Sequence, residues 1–138
     1  ICGDYTQRIS RYAKYDELVI DNNAVKLTDP LKIKQKEGEL ILKKLSAYDY
    51  LVLLDENGKE YTSVQFAGWM ENLFNQSIKN ICFVVGGAYG FSEEVYKRAN
   101  AKVSLSKMTC NHQLIRAFFL EQLYRSFTII NKEPYHHV

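Results

Sequence analysis

Two uninterrupted apolar runs, Tyr50-Leu51-Val52-Leu53-Leu54 and Ile81-Cys82-Phe83-Val84-Val85, constrain this chain more than any other feature. A strand with one wetted face alternates apolar and polar side chains, so five apolar residues in a row belong to a strand covered on both faces. Sheets of that kind are parallel and carry helices on either side. The segment between the runs supplies one such helix. Phe66, Trp69, Met70, Leu73 and Phe74 recur at the spacing of one helical face, which predicts a helix from about Ser63 to Ile78 with that stripe on the core and Trp69 packed rather than functional. With 138 residues, 46% of them hydrophobic, the chain can build one compact core and is too short for two ordinary ones. The expected architecture is a single α/β domain over residues 1–138, with a mostly parallel sheet flanked by helices.

Other elements follow from local signals. Asp29 as cap and Pro30 at the first helical position open a surface helix between Thr28 and Tyr48, with Gly38 as its weak spot. Asp55-Glu56-Asn57-Gly58 reads as a turn. Ser92-Glu93-Glu94 opens a short helix with acids at its positive end, and Val103 to Leu105 reads as a short strand. The last helix, about Asn111 to Ile130, is apolar nearly all round through Leu114, Ile115, Ala117, Phe118, Phe119, Leu120, Leu123 and Phe127. A small monomer covers one side of such a helix, so a homodimer through it is expected.

Charge and cysteines narrow the function classes. A net charge of +2 with 25% charged residues gives no global field for nucleic acid. A local excess exists from Lys107 to Val138, where Lys107, Arg116, Arg125 and Lys132 stand against Glu121 and Glu133. Cys2, Cys82 and Cys110 are odd in number and form no CxxC pair, so neither a disulfide framework nor a metal site is indicated, and a reducing cytoplasm is the default. No apolar run approaches the roughly 18 residues of a membrane span, and no signal-peptide pattern is present.

The chemistry is expected in the last third. The second apolar run ends in Gly86-Gly87-Ala88-Tyr89-Gly90, and the short strand after it ends in Leu105-Ser106-Lys107-Met108-Thr109. Two glycine-bearing or polar loops at the carboxyl ends of neighbouring strands are where an open α/β sheet binds a nucleotide-like ligand. The glycine turn does not fit GxGxxG, which argues against a dinucleotide oxidoreductase. Plainer readings stand beside these: a tight turn needing positive φ at the glycines, a mere helix cap at Thr109-Cys110-Asn111, and a carbonyl hydrogen bond for His112. All three histidines, His112, His136 and His137, lie after position 111. Pro134 stops any helix, so Tyr135 and His136 have no obvious core to join and are free to reach a neighbouring active site, or else they fray.

Taken together, Lys36-Glu37-Gly38-Glu39, Leu54 to Lys59, Val85 to Gly90, Ser104 to Thr109, His112-Gln113, Arg116, Glu121 to Arg125 and Pro134-Tyr135-His136 are more specific than any one of them. In order and spacing the chain resembles the RlmH family of bacterial methyltransferases, which act on N3 of a pseudouridine in large-subunit ribosomal RNA and belong to the SPOUT superfamily. The resemblance runs from Asp4 onward. Family members open with a β-strand and a Gly-Lys loop, whereas this chain is expected to start inside the helix that follows them. Cys110-Asn111 stands where the family often has Phe before His-Gln.

The resemblance implies an α/β fold with a trefoil knot in its C-terminal half and S-adenosylmethionine among the knot loops. Carried over by position, the cofactor contacts fall on Leu54, Gly86, Leu105, Ser106, Lys107, Met108, Thr109 and Cys110. His112 and His136 become candidates for activating the imide, Arg116 and Arg125 for phosphate or base contacts, and Tyr135 accompanies His136 in a tail that completes a partner subunit's site. Sulfonium methyl transfer is a direct displacement that needs no metal. The implied partners are a second copy of the chain and ribosomal RNA within the assembled ribosome. Alternatives are another SPOUT methyltransferase acting on transfer RNA, and a non-catalytic ribosome-binding module.

Overall fold

The computed structural model describes residues 1–18, 29–86 and 89–137. Thr28 of the Thr-Asp-Pro signal, Gly87 and Ala88 of the glycine turn, and Val138 lie outside the described residues. The elements are α1 (Cys2–Ile9), α2 (Pro30–Lys44), β1 (Tyr50–Glu60), α3 (Ser63–Asn75), β2 (Ile81–Val85), α4 (Glu93–Arg98), β3 (Ala101–Ser104) and α5 (His112–Ile130). Both β2 and β3 pair parallel with β1, in the order β2-β1-β3.

The unbroken apolar run of β1 has a direct cause. Val52 and Leu54 enter a core with Phe66 and Met70 of α3 and Phe119, Leu120, Leu123 and Phe127 of α5. Leu51 and Leu53 point the other way, into a second core with Ile41 of α2, Val95 of α4 and Phe91 just before α4. Each face of the central strand is thus dry, and neither face tolerates a polar residue. The caps behave as the sequence signals require. Asp29 accepts from Leu31 N–H at 3.0 Å, Thr62 and Gln65 form a reciprocal capping box on α3, and Asn111 accepts from Leu114 N–H at 2.8 Å.

Several expectations need correction. The two loop-bearing strands are not neighbours: β1 lies between β2 and β3. The residues 55–58 do not end β1 in a turn. The strand runs on to Glu60, and its ladder with β3 jumps, so that Leu54 and Lys59 both register with Val103. The four intervening residues loop out of the ladder, with Asn57 N–H donating to Asp55 Oδ1 at 3.0 Å. Gly58 permits this, because a Cβ there would stand 2.7 Å from both Lys102 C and Val103 N. Gly38 is not a weak spot but a contact point. It is buried in α2, and a Cβ would collide with Ser92 Oγ at the start of α4.

The argument that α5 must leave apolar surface for a partner fails for most of its length. Phe119 packs on Phe83 with ring centroids 4.6 Å apart, and Phe127 is stacked between Tyr12 at 5.3 Å and Phe74 at 5.8 Å. One chain covers α5 from several sides because the helix is wedged among α1, α3 and β2. Leu114 and Phe118, near its N-terminus, stay 56% and 43% exposed.

Candidate functional site

Two strand ends and one looped-out segment converge as the register dictates. Leu54 pairs with Val85 of β2 and with Val103 of β3, so the segments that follow β2 and β3 leave the sheet at the level where residues 55–58 loop out of β1. Leu54 itself is buried in the core. Gly86 follows Val85, and a Cβ on it would lie 2.9 Å from Cζ of Phe91, which fills the α2/α4 core. The glycine is therefore required by packing in its own right. Among the described residues of the turn, Gly90 has a left-handed φ, +79°.

The run after β3 folds over the looped-out part of β1. Leu105 packs against the core and lines, with Tyr61, Phe66 and Phe118, a cavity of about 110 Å³. Ser106 Oγ accepts from Met108 N–H at 3.0 Å, and the Ser106 carbonyl accepts from Ser104 Oγ at 3.1 Å. Lys107 Nζ lies 3.4 Å from Glu60 Oε1, Thr109 Oγ1 donates to Glu56 Oε2 at 3.3 Å, and Cys110 Sγ approaches the Met108 carbonyl at 3.7 Å. Met108 is 77% exposed. Glu56, Asn57, Gly58, Glu60 and Lys107 border an open cleft of about 450 Å³. That volume falls in the range of roughly 300–1,000 Å³ usual for small-molecule sites, whereas the Leu105 cavity falls below it. Glu56 and Glu60 on this cleft fit the positive charge of a sulfonium methyl donor, whereas Leu105 lines the separate, smaller cavity. Among the described residues no group of three or more His, Cys, Asp or Glu is placed to hold a metal.

At the other side of that loop α5 begins. His112 is its first residue and is exposed. Arg116, one turn on, is engaged by Glu17: Nη2 donates to Oε2 at 2.8 Å, and Nε stands 2.6 Å from Oε1 without an aligned N–H. Tyr15 OH donates to the same carboxylate at 2.9 Å. The Arg116 guanidinium holds Glu17 below the usual carboxylate range, and burial, then the bond to Glu17, pushes Tyr15 up.

The tail is not free. Tyr135 and His136 are half-buried against their own α5. Arg125 Nε and Nη2 both donate to Glu121 Oε1, at 2.9 and 2.6 Å, and Tyr135 OH donates to that oxygen at 3.2 Å. Arg125 Nη1 lies 2.9 Å from His136 Nδ1, and its guanidinium carbon sits 4.8 Å from the Tyr135 ring centroid. The Tyr135 ring meets Tyr124 edge-on at 4.7 Å. Burial is the leading cause that pushes the Tyr135 phenol up. Docking is explained by these partners on the helix that Pro134 turns back upon. They also fix a separation. Arg125 lies thirteen positions beyond His112 on α5, roughly 20 Å at about 1.5 Å per residue. The structure thus brings Leu54, Gly86 and 105–110 to one sheet edge with His112 and Arg116 beside it, and sets Tyr135 and His136 apart from them within one chain.

Sequence reasoning missed Glu56, Glu60 and Glu17 as partners of the loop and of Arg116, since nothing local marks contacts 53, 47 and 99 residues apart. Glu121 was detectable as the i−4 partner of Arg125 on one helix face.

Residues 1–136 match the family model described as "Predicted SPOUT methyltransferase". The chain is 56% identical over 138 residues to the Ribosomal RNA large subunit methyltransferase H of Flavobacterium johnsoniae, covering 99% of this chain and 88% of that protein. It is 53% identical to the protein of the same name from Flavobacterium psychrophilum, with the same coverage, and 53% identical to that of Parabacteroides distasonis, covering 98% and 87%.

Proposed function

Because the chain belongs to the SPOUT methyltransferase family, we propose that it methylates N3 of a pseudouridine in large-subunit ribosomal RNA, using S-adenosylmethionine, as a single cytoplasmic domain acting on the assembled ribosome. The observation that carries the reading is the shared register of Leu54, Val85 and Val103, which sends three loops to one sheet edge under the 105–110 run. S-adenosylmethionine brings a methyl group activated on a cationic sulfur. In this reading Leu54, Gly86 and Leu105 to Cys110 hold it, with the knot of the superfamily threading these loops. Glu56 and Glu60 offset its positive charge. His112 and Arg116 face the incoming nucleotide, and a phosphate would replace Glu17 on Arg116.

A second copy of the chain belongs to the proposal. The tail and the loop stand apart within one chain, while Leu114 and Phe118 leave an exposed apolar spot beside the loop. A partner docked there would bring its Tyr135 and His136 to this site. The small charge excess suits a preformed, structured RNA target better than a long free strand.

The test is methyl transfer to whole ribosomes against free RNA, followed by mapping of the modified base, with calorimetry for S-adenosylmethionine. Cofactor binding with transfer to a single large-subunit pseudouridine is expected. Cofactor binding with transfer to transfer RNA alone redirects the substrate, and failure to bind the cofactor leaves a non-catalytic ribosome-binding module. For the shared site, subunits lacking residues 135–138 are mixed with Met108→Pro subunits, which lose the N–H bonded to Ser106 Oγ. Activity in verified heterodimers, above that of either homodimer, is expected. Absence of recovery overturns sharing.

A further inference from the structure

We propose that Glu121, acting through Arg125, fixes His136 as the Nε2–H tautomer, so that the tail presents a hydrogen-bond donor to the substrate rather than a base. The inference rests on the proposed methyl transfer for its chemistry, but its structural half stands on the geometry of the tail alone.

A guanidinium has five N–H donors, no acceptor, and does not deprotonate in proteins. Arg125 Nη1 at 2.9 Å from His136 Nδ1 is therefore the donor of that bond, and Nδ1 must offer its lone pair. A neutral imidazole accepting at Nδ1 carries its one proton on Nε2. Glu121 determines the direction in which Arg125 faces. Its Oε1 takes Nε and Nη2 together, at 2.9 and 2.6 Å, which turns Nη1 toward the tail. The same oxygen takes Tyr135 OH at 3.2 Å, and Oε2 takes Gln122 Nε2 at 2.9 Å, so the carboxylate is held from both ends. Arg125 and Glu121 are 24% and 22% exposed at the side chain, and the Tyr135 ring lies against the guanidinium, so little freedom remains for the fork to rotate. Glu121 touches neither His136 nor the site beyond it. It is a positioning residue.

The consequence for the chemistry is specific. An imide nitrogen attacks as its anion, whose charge spreads onto the two flanking carbonyl oxygens. An Nε2–H aimed at one of those oxygens stabilises the anion as it forms. The nitrogen lone pair then makes the new N–CH₃ bond while the C–S bond breaks and its electron pair returns to sulfur, leaving a neutral thioether. The imide proton goes to solvent water, because Nε2 already carries a hydrogen and Nδ1 is occupied by Arg125.

Two measurements separate this from a base or from a purely structural contact. Long-range proton–nitrogen NMR of the folded protein, with ring nitrogens labelled, should show His136 as the Nε2–H tautomer in the unmodified chain. In Glu121→Gln, and more so in Arg125→Met, it should show a mixture with the Nδ1–H form. Observation of Nδ1–H as the main form in the unmodified chain overturns the proposal whatever the activity. For activity, His136→Gln places an amide N–H near the position of Nε2, whereas His136→Ala places nothing. Losing one such donor costs on the order of 10²-fold in kcat. His136→Ala is expected to fall by that factor, His136→Gln by less than about tenfold, and Glu121→Gln by about tenfold with cofactor affinity unchanged. Equal loss in the Gln and Ala variants at position 136 identifies a base and overturns the donor role. If the unmodified protein methylates no RNA, the proposed function fails, and the NMR result still decides the tautomer.

Discussion

Gly38→Ala sets two opposing effects against each other. Alanine inside a helix is favoured over glycine by about 1 kcal/mol, so an open site would be stabilised. Gly38 is not open: the new methyl would collide with Ser92 Oγ and stand 3.3 Å from Val95 Cγ2. Ser92 is 3% exposed, leaving its hydroxyl little room to retreat. It also accepts from Val95 N–H at 3.4 Å as the N-cap of α4, so any retreat loosens the cap. Overpacking of this kind costs about 1–3 kcal/mol and a lost cap about 1 kcal/mol. Packing wins, and a net loss of about 1–3 kcal/mol is expected. With a urea slope of about 1–3 kcal/mol per molar for a small domain, the midpoint should fall by about 1 M. Ser92→Gly alone should cost a few tenths of a kcal/mol, since glycine is a tolerable N-cap. Combined with Gly38→Ala it removes the colliding atoms and should recover about 1 kcal/mol or more of the single-variant loss. A raised midpoint in Gly38→Ala, or strict additivity in the double variant, would refute the claim that this contact locks α2 to α4. The effect should extend to the site, because Phe91, next to Ser92, is the ring that Gly86 accommodates.

Phe119→Asp is expected to unfold the chain rather than to yield monomers, because Phe119 is core against Phe83. Removing such a ring alone costs about 3–5 kcal/mol, readable by calorimetry or circular dichroism. Leu114→Glu with Phe118→Glu tests the proposed dimer instead, and light scattering should report monomers with an unchanged urea midpoint. Gly86→Val should lower stability through its collision with Phe91, visible as a lower melting temperature without any ligand; unchanged stability would mean that Phe91 has room to move. Tyr12 donates to Glu133 Oε2 at 2.6 Å, and that bond, with some burial, pushes its phenol up to about 12. The folded state therefore favours the protonated phenol. Its contribution is complete below about pH 10, the ordinary tyrosine value, and is lost between about 10 and 12. Urea midpoints across that window should fall less steeply in Tyr12→Phe.

What was legible in the sequence was whatever depends on neighbours along the chain. The apolar run of β1 gave a buried central strand, whereas the same pattern in β2 belongs to an outer strand of the described sheet that is only half-buried. Asp29, Ser92 and Asn111 marked helix starts because a cap acts within three residues. Residues 55–58 misled because Asp-Glu-Asn-Gly has turn chemistry, and only β3 returning alongside draws Lys59 and Glu60 back into the sheet. The reading of α5 failed for a related reason. Its apolar circumference is a local fact, but whether one chain can cover it depends on α1 and α3 meeting there. The tail was misjudged because the groups that hold it, Glu121 and Arg125, lie on a helix already attributed to packing.

The bond between Tyr12 and Glu133 spans 121 residues and has a consequence for biosynthesis. Ile9 of α1 is buried against residues of α5, so α1 cannot find its seat until α5 has been made. At about 5–20 residues per second, the interval from residue 9 to residue 127 lasts roughly 6–24 s. During that time Tyr5 and Ile9, on a helix too short to persist alone, and Tyr12 just beyond it form an uncovered apolar stretch. Sheet pairing does not relieve it, because the docking surface is α5 rather than any strand. The docking of α1 therefore waits on completion of α5, and until then its apolar side chains stay open to solvent or to any holding chaperone.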